Sequence, residues 1–261
     1  MRNSLKNIQE RQQKILEYIN RMGHAEIDDL SEKFRISAVT ARRDLDTLAK
    51  DGLIVRNFGG ARTLPDENTP QPPTFPVSLL AQEATRRTIA KAAASMIEND
   101  DIVLINSSIT ASYVLEYLAD KRVTIVTNNI FTLTRKRSIN TTLIITGGQT
   151  ADGTASLTGP YTTNALSNII ANKCILGVRG IHATEGITSQ VLEESYINQL
   201  MIRQTNGKVI IVADSSKIGK KNSFFSGDIS SISNLITTPG ASPQDLEELR
   251  NAGIEVAIVP L

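Results

Sequence analysis

One cysteine, Cys174, and two separate histidines, His24 and His182, are all that 261 residues offer of the usual metal ligands other than carboxylates. A lone thiol excludes an internal disulfide, and a chain without a Cys pair or a His cluster lacks the ligand set of a structural zinc site. Cys174 lies in the apolar run Cys-Ile-Leu, the setting of a buried, inert thiol. Aromatic residues make up only 4% of the chain, against 40% apolar residues overall, so its cores must be largely aliphatic. No apolar run approaches the roughly 18 residues of a membrane span, and the N-terminus lacks a signal-peptide core. A cytoplasmic protein is expected. No Gly-rich run ends in Gly-Lys-Ser/Thr, which excludes a Walker-type phosphate loop. Neither a metal nor a cofactor is expected.

The formal net charge is only +1, but it is unevenly distributed. Residues 1–62 carry 12 Lys/Arg against 9 Asp/Glu, and 33–62 alone carry 7 against 3; beyond residue 62 acids outnumber bases, 18 to 16. A basic segment beside a mildly acidic body fits a DNA-binding head on a separate module, although charge alone fits a solvated face equally well.

The pattern of that head is more specific. Ile8, Ile15, Leu16 and Ile19 form one stripe of a helix over 5–22, ended by Gly23. Ala25-Glu26-Ile27 begins a second helix with Leu30 and Phe34 inward. Ser37 offers a side-chain N-cap to a third, stopped by Gly52. Residues 53–58 alternate and reach Gly59-Gly60, a β-hairpin pattern. Three helices followed by a hairpin form a winged helix-turn-helix, which lays its last helix in the major groove of DNA. At 100° per residue, Ala41, Leu45 and Leu48 point inward, whereas Val39, Arg42, Arg43 and Asp46 point outward with Thr40 at their flank. Arginine bonds a guanine edge bidentately or clamps a phosphate, and valine meets a thymine methyl. Ser37 and Thr40 lie where hydroxyls and free N–H groups favour phosphate. Arg56 and Arg62 on the wing are placed to hold the neighbouring backbone. Paired arginines also occur on any solvated helix face; their combination with cap, three helices and wing points to DNA. Which arginine reads a base stays open.

Pro65, Pro70, Pro72, Pro73 and Pro76 then mark a semi-rigid linker over 63–78. The expected division is a winged helix over 1–62, this linker, and an effector-sensing and oligomerisation domain over 79–261. In the last, apolar strands at 102–105, 123–126, 143–145, 174–176, 209–212, 234–236 and 255–259 alternate with helical patterns near 81–97, 110–119, 161–170, 191–205 and 243–252. This is a doubly wound, mostly parallel α/β sheet with both faces covered, and ligands in such folds bind beyond the carboxyl ends of the strands. At those ends Asn106, Ser107, Ser108 and Thr110 join a strand to a helix start. Thr127 and Asn128 are placed to bond sugar hydroxyls. Gly147-Gly148 allows close backbone approach, Lys217 offers charge to a phosphate, and Asp214 accepts from a hydroxyl or orients Lys217. Caps, a turn and a surface ion pair are the plainer readings of the same residues. Together the groups suit a compact, hydroxylated anion.

Arg11, Ile15, Ile19, Ser37, Thr40-Ala-Arg-Arg-Asp-Leu45, Gly52-Leu and Gly59-Gly60-Ala61 resemble, through nearly all of 8–62, the N-terminal domain of the DeoR family of bacterial transcriptional regulators. Residues from about 75 to 261 resemble that family's sensor domain, through Ile89-Ala90, Thr127-Asn128, Gly147-Gly148, Gly159, Gly177, Gly180-Ile181 and Asp214-Ser-Ser-Lys217. The resemblance implies operator binding, usually as a repressor, and control by a phosphorylated sugar or related metabolite. It also implies a sensor fold related to ribose-5-phosphate isomerase.

The chain departs from the family pattern at several points. Asn106-Ser-Ser-Ile-Thr110 stands where the family usually has Asp-Ser-Gly-Thr-Thr. Arg86 takes the place of a common lysine and Arg179 that of a common acid. A lysine frequent a few residues after the retained acids Glu193 and Glu194 is replaced near Asn198. Arg86, Arg179 and Glu194 thereby join the candidate effector site, and an added cation at Arg179 favours a more acidic effector. A carbohydrate-operon repressor acting as a dimer or tetramer is therefore expected. The alternatives are a sugar-phosphate isomerase, for which Glu194 and Asp214 are the only nominees for a base, and an effector-independent DNA binder. No enzyme activity is expected.

Overall fold

The computed structural model describes residues 2–57, 59–63, 77–150 and 155–260. The chain divides into two compact units, 1–80 and 81–261. Phe58 and the five prolines of the linker lie outside the described residues.

The first unit runs α1 (Arg2–Met22), β1 (His24–Glu26), α2 (Ile27–Phe34), α3 (Ala38–Lys50), β2 (Ile54–Asn57) and β3 (Gly60–Thr63). Ile15 and Ile19 of α1, Leu30 of α2, and Ala41, Leu45 and Leu48 of α3 meet in one aliphatic core with Ile54 and Ala61 of the sheet. The inward row of α3 is thus the one its periodicity specifies. The second helix starts later than the sequence pattern indicates, because residues 24–26 are a strand: Ala25 pairs with Ala61 antiparallel, giving a sheet ordered β1-β3-β2. Glu26 stays extended and α2 begins at Ile27. Gly60 permits the close pairing; a Cβ there would lie 2.0 Å from the Ala25 carbonyl oxygen.

A buried charge fastens α1 to α3. Asp44 is 2% exposed and accepts from Arg11 Nε at 2.6 Å, Arg11 Nη2 at 3.0 Å and Gln12 Nε2 at 3.1 Å. The hydrogen-bonded carboxylate holds the Arg11 guanidinium above its ordinary pKa, against the opposing effect of burial. Removing one partner strands the other's charge in the core. Arg11→Met is expected to destabilise the first unit by about 3 kcal/mol. Hydrogen exchange of the α3 amides in the full chain checks this; unchanged protection would show that the pair contributes nothing.

The second unit contains α4 (Val77–Ser95) from Ala81 onward, β4 (Ile102–Ile105), α5 (Ile109–Ser112), β5 (Val123–Thr127), β6 (Thr141–Ile145), β7 (Gln149–Thr150), β8 (Leu157–Thr158), α6 (Pro160–Ser167), β9 (Ala171–Gly177), β10 (Gly180–His182), β11 (Gly186–Ser189), α7 (Leu192–Arg203), β12 (Thr205–Val212), β13 (Phe224–Gly227), β14 (Asn234–Thr237), α8 (Pro243–Asn251) and β15 (Glu255–Ile258). Seven strands form one sheet, ordered β15-β14-β12-β9-β4-β5-β6, and every adjacent pair in it is parallel. Alternate side chains enter two cores. Leu104, Cys174, Leu176 and Ile211 pack with Leu166, Met201 and Leu249 from α6, α7 and α8. Val103, Ile105, Ile175 and Ile210 pack on the other face with Ile89 and Ala93 of α4 and with Leu115 and Leu118. Burial pushes the Cys174 thiol well above its ordinary pKa, which leaves it inert.

The seven apolar runs are the seven strands of this sheet. A second, antiparallel sheet, β10-β11-β13, and the hairpin β7–β8 were not anticipated from the sequence. Helix α4 already begins at Val77, inside the stretch assigned to the linker.

Candidate DNA-reading surface and effector cleft

Helix α3 is separated from α2 by the three residues Arg35–Ser37, with Arg35 in the left-handed region at φ 52. Ser37 caps it, its hydroxyl oxygen accepting from the Thr40 N–H at 3.1 Å and lying 2.8 Å from Thr40 Oγ1. With the inner row fixed in the core, Val39 is 71% exposed and Arg42 and Arg43 are exposed beside it. No hydrogen bond or ion pair of either guanidinium occurs among the described residues. Arg56 is differently placed. It donates to the Gly60 carbonyl at 2.7 Å and pairs with Asp46 Oδ1 at 3.1 Å, so it braces the wing against α3 instead of extending outward. Asp46, expected only as part of the outward arc, is its partner. Arg62 is exposed on β3 opposite His24.

In the second unit the chain proceeds from β4 to β5 and β6 on one side. It then returns to β9 on the other side and continues to β12, β14 and β15. The switch point therefore lies between the carboxyl ends of β4 and β9. Asn106 bridges it. Its Nδ2 donates to the Gly177 carbonyl at 2.8 Å and to Asn198 Oδ1 at 2.9 Å, and its Oδ1 accepts from the N–H groups of Gly177 at 3.0 Å and Ser108 at 3.3 Å. The residue is 4% exposed. It acts as an amide clamp on the strand end and has little surface left for a ligand. Ser108 caps α5 by accepting from Ala111 N–H at 3.3 Å, and its side chain lies directly on Gly177, where a Cβ would come within 1.9 Å of Ser108 Oγ.

Other nominated residues also face inward. Thr127 is fully buried and accepts from Asn129 N–H at 3.1 Å. Asn128 is 1% exposed and donates to the Leu157 carbonyl at 2.9 Å, tying down the segment around β8. Both residues thus hold loops at the strand end, and Asn128 Oδ1 has no hydrogen-bond partner among the described residues. Gly147-Gly148 forms the turn after β6. The glycines have φ 71 and 130, and the space a Cβ at Gly148 would enter is filled by Thr162 Oγ1 and the Thr158 carbonyl. The turn is docked on α6 through Thr162, whose hydroxyl donates to the Gly147 carbonyl at 2.7 Å, and both glycines remain exposed.

Asp214 accepts from the Ser216 N–H at 2.9 Å and from its hydroxyl, with no ion pair to Lys217 among the described residues. Arg179 Nε lies 3.2 Å from Glu194 Oε2, and that carboxylate also accepts from Ser189 Oγ at 3.1 Å. The extra cation is therefore accompanied by an acid. Arg86 is half-buried on α4 and meets Gln82 at 3.4 Å. Ser107, Thr110 and Lys217 are half-buried, and their side chains make no hydrogen bond among the described residues. Ser107 and Lys217 lie in the turns that follow β4 and β12, on either side of β9, and Thr110 lies in α5 just after the first of them.

Asn129 was missed. It is fully buried, and its Nδ2 donates to the carbonyls of Asn106 at 3.2 Å and Ser108 at 2.9 Å, which fixes the loop after β4. The one signal was its position directly after Thr127-Asn128. Among the described residues, no three His, Cys, Asp or Glu side chains are grouped to hold a metal ion, and no helix is long and apolar enough to cross a membrane.

A winged helix with an exposed, unpaired basic row, joined in one chain to a doubly wound α/β unit with a polar switch point, defines a two-module DNA-binding regulator. Residues 11–66 match the DeoR-like helix-turn-helix domain, and residues 81–238 match the DeoR C terminal sensor domain. The chain belongs to the DeoR family of transcriptional regulators. It is 28% identical to the HTH-type transcriptional regulator YulB of Bacillus subtilis over 97% of this chain and 98% of that one. It is 28% identical to a putative aga operon transcriptional repressor of Escherichia coli O157:H7 over 96% and 93%. With the HTH-type transcriptional regulator IolR of Bacillus subtilis the identity is 31% over 80% and 82%. Among solved structures, a ribose 5-phosphate isomerase from Plasmodium falciparum aligns with TM-score 0.37 at 17% identity, over 52% of each chain.

Proposed function

We propose that this chain represses a carbohydrate-metabolism operon in the cytoplasm by binding its operator as an oligomer, and that a phosphorylated sugar or related acidic metabolite controls that binding. The observation that carries the reading is α3: its inner row is fixed by Asp44 and the core, which leaves Val39, Arg42 and Arg43 outward and unpaired. These three, with Arg62 and the cap residues Ser37 and Thr40, are proposed to contact DNA, with Arg56 as a brace. The aga operon repressor and a lactose phosphotransferase system repressor of Staphylococcus epidermidis, 27% identical, support the class of target.

For the effector, the free groups Ser107, Thr110 and Lys217, with Arg86 at the same unit's first helix and the Arg179–Glu194 pair, form the proposed polar site. Asn106, Ser108, Thr127, Asn128, Gly147 and Gly148 shape it from behind, and Asp214 fixes the turn that carries Lys217. Glu194 is held by Arg179 and Ser189, and Asp214 by Ser216.

A thermal-shift panel of pentose and hexose phosphates, with the free sugars and inorganic phosphate as controls, tests this. A true effector at a hundred times its Kd adds about 2.7 kcal/mol to the stability of the state it binds. That is expected to raise the melting temperature by several degrees for the sugar phosphate alone, with Lys217→Ala reducing the shift. Equal shifts with inorganic phosphate, or none with any sugar phosphate, would contradict the effector class.

A further inference from the structure

Helix α7 carries an outward stripe that the fold leaves uncovered. Leu192, Tyr196, Gln199 and Arg203 follow one another at steps of four, three and four, which places them on one side of the helix. Ile197, Leu200 and Met201 on the other side are buried. Leu192 is 57% and Tyr196 50% exposed, and Arg203 is exposed. Strand β13 adjoins the stripe: Gln199 Nε2 donates to the Phe225 carbonyl at 2.8 Å, and the Phe225 ring is itself 50% exposed. A chain with five tyrosines, six phenylalanines and no tryptophan thus exposes one of each, with a leucine, in a single patch. Exposed apolar patches rimmed by charge mark interaction surfaces.

The charges at the rim identify the occupant. Glu193 flanks the stripe at its first turn and Arg203 ends it, about 15 Å further along the axis. Both are exposed, and neither makes an ion pair among the described residues. Opposite signs at the two ends of one apolar stripe make the stripe complementary to itself turned end for end.

We propose that this face joins two copies of the chain through antiparallel packing of α7 against α7 about a two-fold axis. Glu193 of each copy then meets Arg203 of the other, with Leu192, Tyr196 and Phe225 between them. A two-fold interface repeats each contact twice, so both ion pairs form at once. A parallel arrangement would oppose like charges, and a partner of a single charge sign would match only one end of the stripe. The inference deepens the proposed oligomeric repressor and rests on that reading, since two heads on paired half-sites require two copies.

Sedimentation equilibrium of the full-length chain tests it, comparing wild type with Glu193→Arg, Arg203→Glu, the double exchange and Tyr196→Asp. Each single reversal opposes like charges at two points and is expected to weaken association about tenfold or more, and the double exchange is expected to return it to near the wild-type value. Tyr196→Asp is expected to weaken it about a hundredfold. Far-UV circular dichroism checks that the variants fold, and the charge exchange stands even if Tyr196→Asp does not. Unchanged association in both single reversals, a double exchange no better than the singles, or a monomeric wild type overturns the interface. A monomer that still protects a single half-site in footprinting leaves the operator reading intact, whereas an intact dimer that protects no promoter overturns that reading and not this surface.

Discussion

Asn106→Asp is expected to destabilise the second unit by about 3 kcal/mol, and Asn198→Lys in the same chain to recover most of the loss. The native amide donates through Nδ2 to the Gly177 carbonyl and to Asn198 Oδ1. A carboxylate at the same place has no proton for either, so it sets a charge against two oxygens at a position 4% exposed. A lysine at 198 removes one of those oxygens and brings both donors and the opposite charge. Asn198→Lys alone is costly as well, because it buries an ammonium against the Asn106 amide. Urea unfolding of the four chains closes a double-mutant cycle, with an expected coupling of about 2 kcal/mol. The DeoR pattern resembles the double variant, with an acid at 106 and a lysine near 198. Coupling between the two positions is the result expected if the neutral Asn106–Asn198 pair replaces a charged pair as a unit. Additive costs in the cycle would show that the two positions changed independently.

The second large effect concerns α3. Arg42→Ala and Arg43→Ala are each expected to cost about 1–3 kcal/mol of operator affinity, and the double variant about a hundredfold or more. If one arginine reads a guanine, its loss relaxes preference at one base pair; if it holds phosphate, binding falls evenly across sequences and the salt dependence drops by about one ion. Fluorescence anisotropy on promoter fragments at fixed salt distinguishes the two. Both guanidinium groups are exposed and unpaired among the described residues, so neither change should alter the stability of the first unit. Undiminished binding by the double variant would remove α3 from the interface.

Legibility in the sequence followed the strength of each local pattern. The inner strands of the parallel sheet were readable because strands buried on both faces are continuous apolar runs, such as Val209–Val212. The inner row of α3 was readable because Ala41, Leu45 and Leu48 repeat at helical spacing behind a serine cap. Strand β1 was not, because three residues pair only with a partner 34 or more positions later, and their own composition also suits a helix start. Strand β13 escaped for the same reason, since it pairs with β11 far back in the chain, whereas β10 and β11 form a local hairpin whose strands are too short to show an alternating pattern.

At the candidate site, polar residue types located the switch point but not the direction of each side chain. Thr127 and Asn128 have the chemistry of ligand contacts, yet at a strand end the backbone's unsatisfied groups claim them first. Asp46 lay on the outward arc of α3 and Arg56 on the wing, and only the wing's position over α3 turns them into a pair. Asp44 was legible as a motif residue, but its burial depends on Arg11, 33 positions earlier.

Genome-wide occupancy of the full-length chain, compared with the Arg42→Ala/Arg43→Ala variant at equal expression, is the most direct test. Discrete peaks at promoters of carbohydrate genes, absent from the variant, are the predicted result. Matching profiles for the two proteins, or no discrete peak for wild type, would contradict the assignment of α3 as the element that reads the operator.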